Sequence, residues 1–159
     1  MTFISVSSEK EEKRKAMDVP AEEKKTYARF VTEMRVRPDD IDLYCHVHAS
    51  RYLDYVLAAR LDQMERFYGM PMEEFAARGL GWFQRAMTIN YKRPLAMGER
   101  FKVETGVVAF RRDGVVVSFK IFKENGRVSA DGEGDYALID MKTRRATAIP
   151  ADVKEKYSL

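Results

Sequence analysis

Residues 50–71 read SRYLDYVLAARLDQMERFYGMP, and this stretch decides the fold. Its apolar side chains recur at helical spacing, at Leu53, Val56, Leu57, Leu61, Met64 and Phe67. Ser50 is a favourable N-cap residue, whereas Gly69 and Pro71 end the helical pattern. Because the apolar residues extend over more than one face, we expect a long helix that lies inside the fold.

The segment before this helix alternates with a period of two. In TYARFVTEMRVR, residues 26–37, the apolar side chains fall mostly on even-numbered positions, which predicts a strand. Pro38 ends the strand because it has no N–H to donate, and PDDIDLYCH, residues 38–46, is predicted to be a loop.

After the helix, PMEEFAARG at residues 71–79 predicts a second, short helix. From residue 80 onward, segments rich in Val, Phe, Tyr, Ile and Thr predict four successive strands in an antiparallel meander. We expect hairpin turns at residues 112–114 and 124–126, in which the final glycine supplies a positive φ. The element order predicts an α+β fold with one antiparallel sheet of about five strands on a central helix.

The last predicted strand contains small residues at its centre. Gly132 and Gly134 share a face with Ala130 and Tyr136. Small residues in mid-strand indicate that another group approaches the backbone closely. We therefore expect tight packing against the middle of this strand.

The composition is that of an ordinary globular protein and limits the classes of function. The 159 residues, 45% hydrophobic and 33% charged, fit one folded domain. A net charge of +3 is too weak to indicate a nucleic-acid partner, and no stretch approaches the length of a membrane span. The single cysteine, Cys45, excludes an intrachain disulfide, and the first residues lack the pattern of a secretion signal. We therefore expect a cytoplasmic protein.

Residues 1–25 are predicted to form a charged N-terminal arm. Twelve of the seventeen residues from Glu9 to Lys25 are charged, with mixed signs and an interruption at Pro20. Opposite charges four residues apart support a solvated helix, whereas the high charge equally favours disorder. We predict an arm, helical or disordered, followed by a domain over residues 26–159.

The loop between the first strand and the helix concentrates chemically active side chains. They are Asp39, Asp40, Asp42, Cys45, His46 and His48. A His-x-His pair recurs in zinc sites, but the chain has no other histidine or cysteine, so we expect no bound metal. Cys45 could be a nucleophile with an imidazole as its base, but residues adjacent in sequence rarely face each other. We expect an inert thiol there, buried or half-exposed.

A third interpretation starts from the junction between loop and helix. The unpaired N–H groups of a first helical turn stabilise negative charge, such as that on the oxygen of a reacting acyl group. A loop carboxylate could then act as base or nucleophile, with the amides near Ala49 and Ser50 as the oxyanion hole. From the residues alone, a carboxylate that merely caps the helix remains an alternative.

The spacing in this loop resembles a known motif. D-x-D at residues 40–42 and H-V-x-x-x-x-Y at residues 46–52 are similar to D-T-D-x-x-G-H-V-N-N-x-x-Y in the hot-dog fold acyl-CoA thioesterases of the 4-hydroxybenzoyl-CoA thioesterase type. The resemblance implies a hot-dog fold, in which the sheet wraps around the central helix. It also implies hydrolysis of an acyl-CoA to a carboxylic acid and free CoA, with no cofactor.

The resemblance assigns roles to individual residues. It implies that Asp42 is the catalytic carboxylate and that the backbone N–H of Ala49 is the oxyanion donor. Tyr52 matches the motif tyrosine, which we assign to substrate binding, and His46 is assigned a positioning role. The sequence departs from the family at Cys45, where glycine is usual. Further departures are His48 and Ala49 in place of two asparagines, and Leu57 in place of a helix glutamate.

The neighbouring side chains are expected to have structural roles. Asp39 and Asp40 are predicted to be turn or solvent acids. His48 is expected to be exposed, and Tyr52 and Tyr55 are expected to pack on the helix.

A single carboxylate is chemically adequate for thioester hydrolysis. A thiol with a pKa of about 8.5 leaves readily, so no dedicated general acid is obligatory. Aspartates are ordinarily ionised at neutral pH, and Asp42 is expected to attack the carbonyl carbon or to activate water.

Coenzyme A requires cations for its phosphates. The candidates are Lys92 and Arg93, Arg111 and Arg112, and Arg144 and Arg145. Trp82 and Phe83 could form the wall of an acyl pocket or belong to the core. An acyl-carrier-protein substrate and a non-catalytic acyl-thioester sensor remain alternatives. The resemblance also implies a homodimer or homotetramer with sites at the subunit interface.

Overall fold

The computed structural model describes residues 26–159, so the predicted arm at residues 1–25 lies outside the described residues. Within the described range the strands are β1 (Arg29–Arg35), β2 (Leu80–Tyr91), β3 (Arg100–Arg111), β4 (Gly114–Lys123), β5 (Val128–Asp140) and β6 (Arg145–Ala146). The α-helices are α1 (Arg51–Arg66), α2 (Met72–Ala77) and α3 (Ala151–Lys156). None of these helices is long and apolar enough to cross a membrane.

All six strands belong to one antiparallel sheet. The long strands follow the order β1-β3-β4-β5-β2, and the two-residue β6 pairs with β5. The helix α1 packs on the sheet and contacts β1 and β3. The predicted α+β arrangement of about five strands on a central helix is therefore confirmed.

The predicted meander is wrong at its first strand. Strands β3, β4 and β5 pair in succession, but β2 pairs with β5 instead of β3. Residues 92–99 are too many for a short hairpin loop, and they cross the molecule with Leu95 fully buried. The Val47 N–H donates to the Leu95 carbonyl at 2.9 Å, which ties this crossing to the loop before α1. Strands β1 and β2 are consequently the two edges of the main path of the sheet.

Both predicted hairpin turns are present, but only one uses its glycine as expected. Gly126 has a φ of +80° between β4 and β5. Gly114 is instead the first residue of β4, and a Cβ atom there would lie 2.0 Å from the carbonyl oxygen of Tyr136. Close approach of β5 therefore requires this glycine.

The close packing predicted for the middle of β5 is confirmed at Gly132. A Cβ atom there would lie 1.8 Å from the Thr88 carbonyl oxygen and 2.9 Å from Cζ of Phe119. Thr88 belongs to β2 and Phe119 to β4, so the glycine lets both neighbouring strands close on β5.

The buried face of α1 differs from the prediction. Leu57 and Leu61, expected in the core, are 37% and 50% exposed, whereas Arg60 and Gln63 are buried. The helical spacing identifies apolar positions but does not reveal which side of the helix the sheet covers. The helix therefore has one solvent face and is not wholly enclosed.

Gln63 holds the centre of α1 to the sheet. Its Nε2 donates to the carbonyls of Phe30 on β1 and Val103 on β3, at 3.2 and 3.3 Å. Its Oε1 accepts from the Thr105 hydroxyl at 2.5 Å. Because a buried polar group is costly unless it is paired, these bonds favour one rotation of α1 about its axis.

Candidate active site

The loop before α1 folds back on itself as a tight turn. Ile41 and Val47 form an isolated antiparallel bridge. Between them, the Asp42 N–H donates to the His46 carbonyl at 2.8 Å, and the Cys45 N–H donates to the Asp42 carbonyl at 3.1 Å. These bonds place Asp42 beside His46 near the start of α1.

Asp40 anchors this turn, as one of the two expected roles requires, whereas the alternative of a solvent-exposed acid is wrong. Its carboxylate is 1% exposed and accepts from the Tyr55 hydroxyl at 2.8 Å and from the Arg37 guanidinium at 3.2 Å. Its carbonyl accepts from the His48 N–H at 2.8 Å. Asp40 therefore joins the end of β1, the turn and α1. Asp39, in contrast, is exposed as predicted.

Asp42 is half-buried and presents one carboxylate oxygen that has no partner. Its Oδ1 accepts from the N–H of Tyr44 at 2.8 Å and from the N–H of His46 at 3.3 Å. Among residues 26–159, no group donates to its Oδ2. The backbone thus holds the carboxylate through one oxygen and leaves the other available for chemistry.

A cleft of about 360 Å³ lies next to Asp42. Its lining residues are Asp42, His46, Val47, Ala49, Tyr52, Tyr91, Lys92, Arg93 and Pro94. One wall is therefore the turn with the start of α1, and the other is the end of β2 with the residues that follow it. Tyr52 is buried as predicted, and its hydroxyl accepts from the Leu95 N–H at 3.1 Å, which joins the two walls.

Ala49 lines the same cleft with an unpaired amide. No described residue accepts from its N–H, while its carbonyl accepts from the Tyr91 hydroxyl at 3.0 Å. The Ser50 N–H is 3.3 Å from Nδ1 of His48 and is therefore engaged. Ser50 occupies the predicted N-cap position, but its hydroxyl bonds to the His48 ring instead of the helix. Of the two amides considered from the sequence, that of Ala49 is the available one.

The imidazoles and the thiol are exposed and form no cluster. The His46 ring makes no hydrogen bond within the described part of the chain, so any positioning by this residue acts through its backbone N–H on Asp42. His48 is exposed as predicted. The Cys45 thiol is also exposed, so the expectation that it is buried or half-exposed is wrong. Across residues 26–159, no group of three or more His, Cys, Asp or Glu side chains could hold a metal ion.

Of the six cations considered for substrate binding, two line the cleft and four do not. Lys92 and Arg93 line it, although Lys92 lies 2.5 Å from a carboxylate of β5 and Arg93 donates to a carbonyl of β5 at 3.0 Å. Arg144 and Arg145 lie at the connection from β5 to β6, outside the lining of the cleft.

Arg111 and Arg112 lie at the β3–β4 hairpin. Strand β5 pairs with both places: its Ala130 is opposite Tyr91 at the end of β2, and its Ala137 is opposite Gly114 at the hairpin. These two positions of β5 are seven residues apart, which corresponds to about 23 Å.

The sequence reasoning missed part of the cleft and misplaced one aromatic residue. Tyr91 and Pro94 were not identified, because their position beside α1 depends on β2 being an edge strand. Phe83, considered for the acyl wall or the core, is 60% exposed because strand alternation turns Trp82 inward and Phe83 outward.

The anchoring by Asp40 predicts a specific dependence of stability on pH. The Arg37 guanidinium holds the pKa of Asp40 below its usual value of 3.8, against the opposing effect of burial. Since the folded pKa is the lower one, this stabilisation is complete above about pH 4 and is lost as the pH falls through the folded value. Thermal unfolding midpoints of the wild type and Asp40→Asn should differ at neutral pH and converge in acid. Asp39→Asn should follow the wild type, and a gap that stays constant down to about pH 2 would refute the anchoring.

Cys45 is expected to store backbone strain. Its φ of +59° lies in the left-handed region, where the related motif has glycine. Cys45→Gly should therefore raise the free energy of unfolding by about 1 kcal/mol. Cys45→Ala is the matched control, because it removes the thiol and keeps the Cβ atom. Equal stabilisation by the two substitutions in chemical denaturation would mean that the thiol, and not the backbone, is responsible.

The chain is similar to known thioesterases. The family model described as "Thioesterase-like superfamily" matches residues 36–157. The long-chain acyl-CoA thioesterase FadM of Escherichia coli is 26% identical over 79% of this chain and 94% of its own length. The structure of YbaW probable thioesterase from Escherichia coli is 28% identical, with a TM-score of 0.70 over 79% of this chain and 94% of that chain. A DHNA-CoA thioesterase from Staphylococcus aureus, 24% identical, has a TM-score of 0.77 over 82% of this chain and 89% of that chain.

These similarities confirm the predicted hot-dog fold and the predicted thioesterase class. They are compatible with the 4-hydroxybenzoyl-CoA thioesterase type without singling it out. Because the family model spans most of the chain, this protein belongs to the Thioesterase-like superfamily.

Proposed function

We propose that this protein hydrolyses acyl-CoA thioesters at the cleft beside Asp42, releasing a carboxylic acid and free CoA. One observation carries the proposal: the unpartnered Oδ2 of Asp42 and the unpaired N–H of Ala49 belong to residues that line the same cleft. A thioester carbonyl needs a nucleophile at its carbon and a donor at its oxygen, and these two groups supply both.

In the proposed reaction the thioester oxygen accepts a hydrogen bond from the Ala49 N–H as negative charge develops on it. Asp42 Oδ2 either attacks the carbonyl carbon or removes a proton from a water that attacks. Direct attack forms an acyl anhydride and expels the CoA thiolate, and water then cleaves the anhydride to regenerate the carboxylate. In both routes the C–S bond breaks, and the acyl carbon gains an oxygen.

The remaining residues of the cleft are proposed to hold these two groups and the substrate. His46 positions Asp42 through its backbone N–H at 3.3 Å from Oδ1. Tyr52 positions the opposite wall through its bond to the Leu95 amide. Lys92 and Arg93 are placed to meet CoA phosphates once they leave their present partners on β5.

Arg111 and Arg112 are proposed to bind phosphate only if another subunit brings them to the cleft. Arg111 Nη1 is 3.3 Å from Asp135, and the Arg112 side chain has no partner in the described part of the chain. Their hairpin is too distant along β5 to reach the cleft of the same chain, by the estimate of about 23 Å.

We infer that the functional unit is a homodimer or a homotetramer. Strand β2 is 12 residues long and forms one edge of the sheet, and long open edges favour pairing with another chain. Tyr91 at the end of β2 lines the cleft, so a subunit paired at this edge would lie beside the site. Sedimentation velocity at the assay concentration tests this inference. An active species with the mass of one chain would overturn it.

Asp42→Asn should lower kcat by roughly 10³-fold for the best acyl-CoA in a panel, because the amide is neither a nucleophile nor a base. Binding of a substrate analogue with methylene in place of the thioester sulfur should be retained, since the side-chain shape is kept. Thiol release measures the first quantity, and calorimetry measures the second. Asp39→Asn, which removes an exposed neighbouring acid, should retain wild-type turnover.

If the Asp42→Asn variant turned over substrate at the wild-type rate, Asp42 would have no part in the reaction. Binding of acyl-CoA without turnover in the wild type would favour the acyl-thioester sensor, and turnover of acyl-carrier-protein substrates alone would favour that carrier. A single turnover in ¹⁸O-labelled water separates the two chemical routes. Direct attack places an unlabelled protein oxygen in the first product when water cleaves the anhydride at the aspartyl carbon, whereas activated water places the label there. An unlabelled first product therefore identifies direct attack.

A further inference from the structure

Tyr91 joins the two walls of the cleft at Asp42 through its side chain. It is the last residue of β2 and is 54% exposed, yet its hydroxyl is engaged. The hydroxyl donates to the carbonyl of Ala49 at 3.0 Å, and Ala49 directly precedes Ser50, the N-cap residue of α1. Tyr91 and Ala49 are 42 residues apart in the sequence, and both line the cleft. This bond therefore ties the end of an edge strand to the residue whose amide is the proposed oxyanion donor.

The ring of Tyr91 is held by packing. It meets the ring of the buried Tyr52 edge to face, with the ring centroids 5.2 Å apart and an angle of 84° between the ring planes. Aromatic pairs in this geometry stabilise each other beyond the area that they bury. Tyr52 is fixed in turn by the N–H of Leu95, which donates to its hydroxyl at 3.1 Å. The packing therefore restricts the Tyr91 side chain to the orientation in which its hydroxyl reaches Ala49.

Hydrogen bonds hold the peptide groups on both sides of the Ala49 Cα atom. The His48 carbonyl, which shares a peptide group with the Ala49 N–H, accepts from the Arg51 N–H at 2.9 Å. The next peptide group is held by Tyr91 at its carbonyl and, more weakly, by the 3.3 Å bond from the Ser50 N–H to the His48 ring. A residue has two soft backbone dihedrals, so holding both planes fixes the direction of the N–H between them. Tyr91 supplies the shorter of the two bonds on the second plane.

We propose that Tyr91 is a positioning residue that orients the Ala49 N–H toward the oxygen of the reacting thioester. This inference rests on the proposed function. An oxyanion donor is most effective when it is oriented before negative charge develops, because no reorganisation is then needed during the reaction. In this role the Tyr91 hydroxyl acts through the Ala49 carbonyl and not on the substrate.

Tyr91→Phe tests this role, because it keeps the ring that packs on Tyr52 and removes the hydroxyl. The variant should lower kcat about ten-fold and leave KM within about two-fold, since the contact to the oxyanion strengthens in the transition state. Outright loss of an oxyanion donor costs roughly 10²–10³ in kcat, and a loosened donor should cost less. The thermal midpoint should change little, because Tyr91 and Ala49 are both exposed and water can replace the lost partner.

Tyr68→Phe is the matched control. Tyr68 lies beyond the opposite end of α1, and its hydroxyl makes no hydrogen bond with any residue from 26 to 159. This variant should keep the wild-type kcat and KM. A wild-type kcat in Tyr91→Phe would overturn the positioning role. A raised KM with an unchanged kcat would also overturn it, because Tyr91 would then bind the substrate instead.

The mobility of the Ala49 amide gives a readout that does not require turnover. Nitrogen-15 relaxation on the full-length protein without substrate should give this amide an order parameter of about 0.85, the value of rigid backbone. In Tyr91→Phe the order parameter should fall towards about 0.6, where backbone is flexible, while Tyr68→Phe should match the wild type. An equally rigid Ala49 amide in Tyr91→Phe would overturn the proposal. Failure of the proposed function is distinguishable, because it would appear as wild-type turnover in Asp42→Asn with Ala49 still loosened in Tyr91→Phe.

Discussion

The buried carboxylate of Asp40 is the constraint on which the candidate active site depends. It accepts from Arg37 after β1 and from Tyr55 on α1, while its carbonyl accepts from the His48 amide. These contacts fix both ends of the turn that contains Asp42. A carboxylate buried with charge-assisted partners resists displacement, so the intervening residues have little freedom. The candidate catalytic carboxylate of Asp42 is therefore held in place by a neighbour to which no chemical role is assigned.

Much of the fold could be predicted from the sequence, because the period-two and helical patterns identified β1 and α1. The D-x-D spacing singled out Asp42, which lines a cleft in the structure, and its catalytic role stays a prediction. The sequence could not distinguish the structural acid Asp40 from the solvent acid Asp39, because both are loop aspartates and only burial separates them. The pairing of β2 with β5 could not be predicted from the sequence either, because strand pairing depends on contacts between residues that are distant in sequence.

The helix α1 serves two different environments along its length. Its first turn meets the Asp42 cleft, which is lined by Ala49 with its unpaired amide and by the half-buried Asp42. Its second half borders a separate cavity whose lining includes Arg60, Leu61 and Trp82. The polar contacts of Gln63 with β1 and β3 hold the helix between these sites. The rotation of α1 about its own axis thus determines which of its side chains face each site.

The most direct test of the central claim is a crystal structure of the protein with an acyl-CoA analogue in which methylene replaces the thioester sulfur. The carbonyl oxygen should lie about 3 Å from the Ala49 nitrogen, a hydrogen-bonding distance, with its carbon facing Oδ2 of Asp42. A carbonyl bound elsewhere, with the Ala49 amide still unpaired and Asp42 facing solvent, would contradict the account.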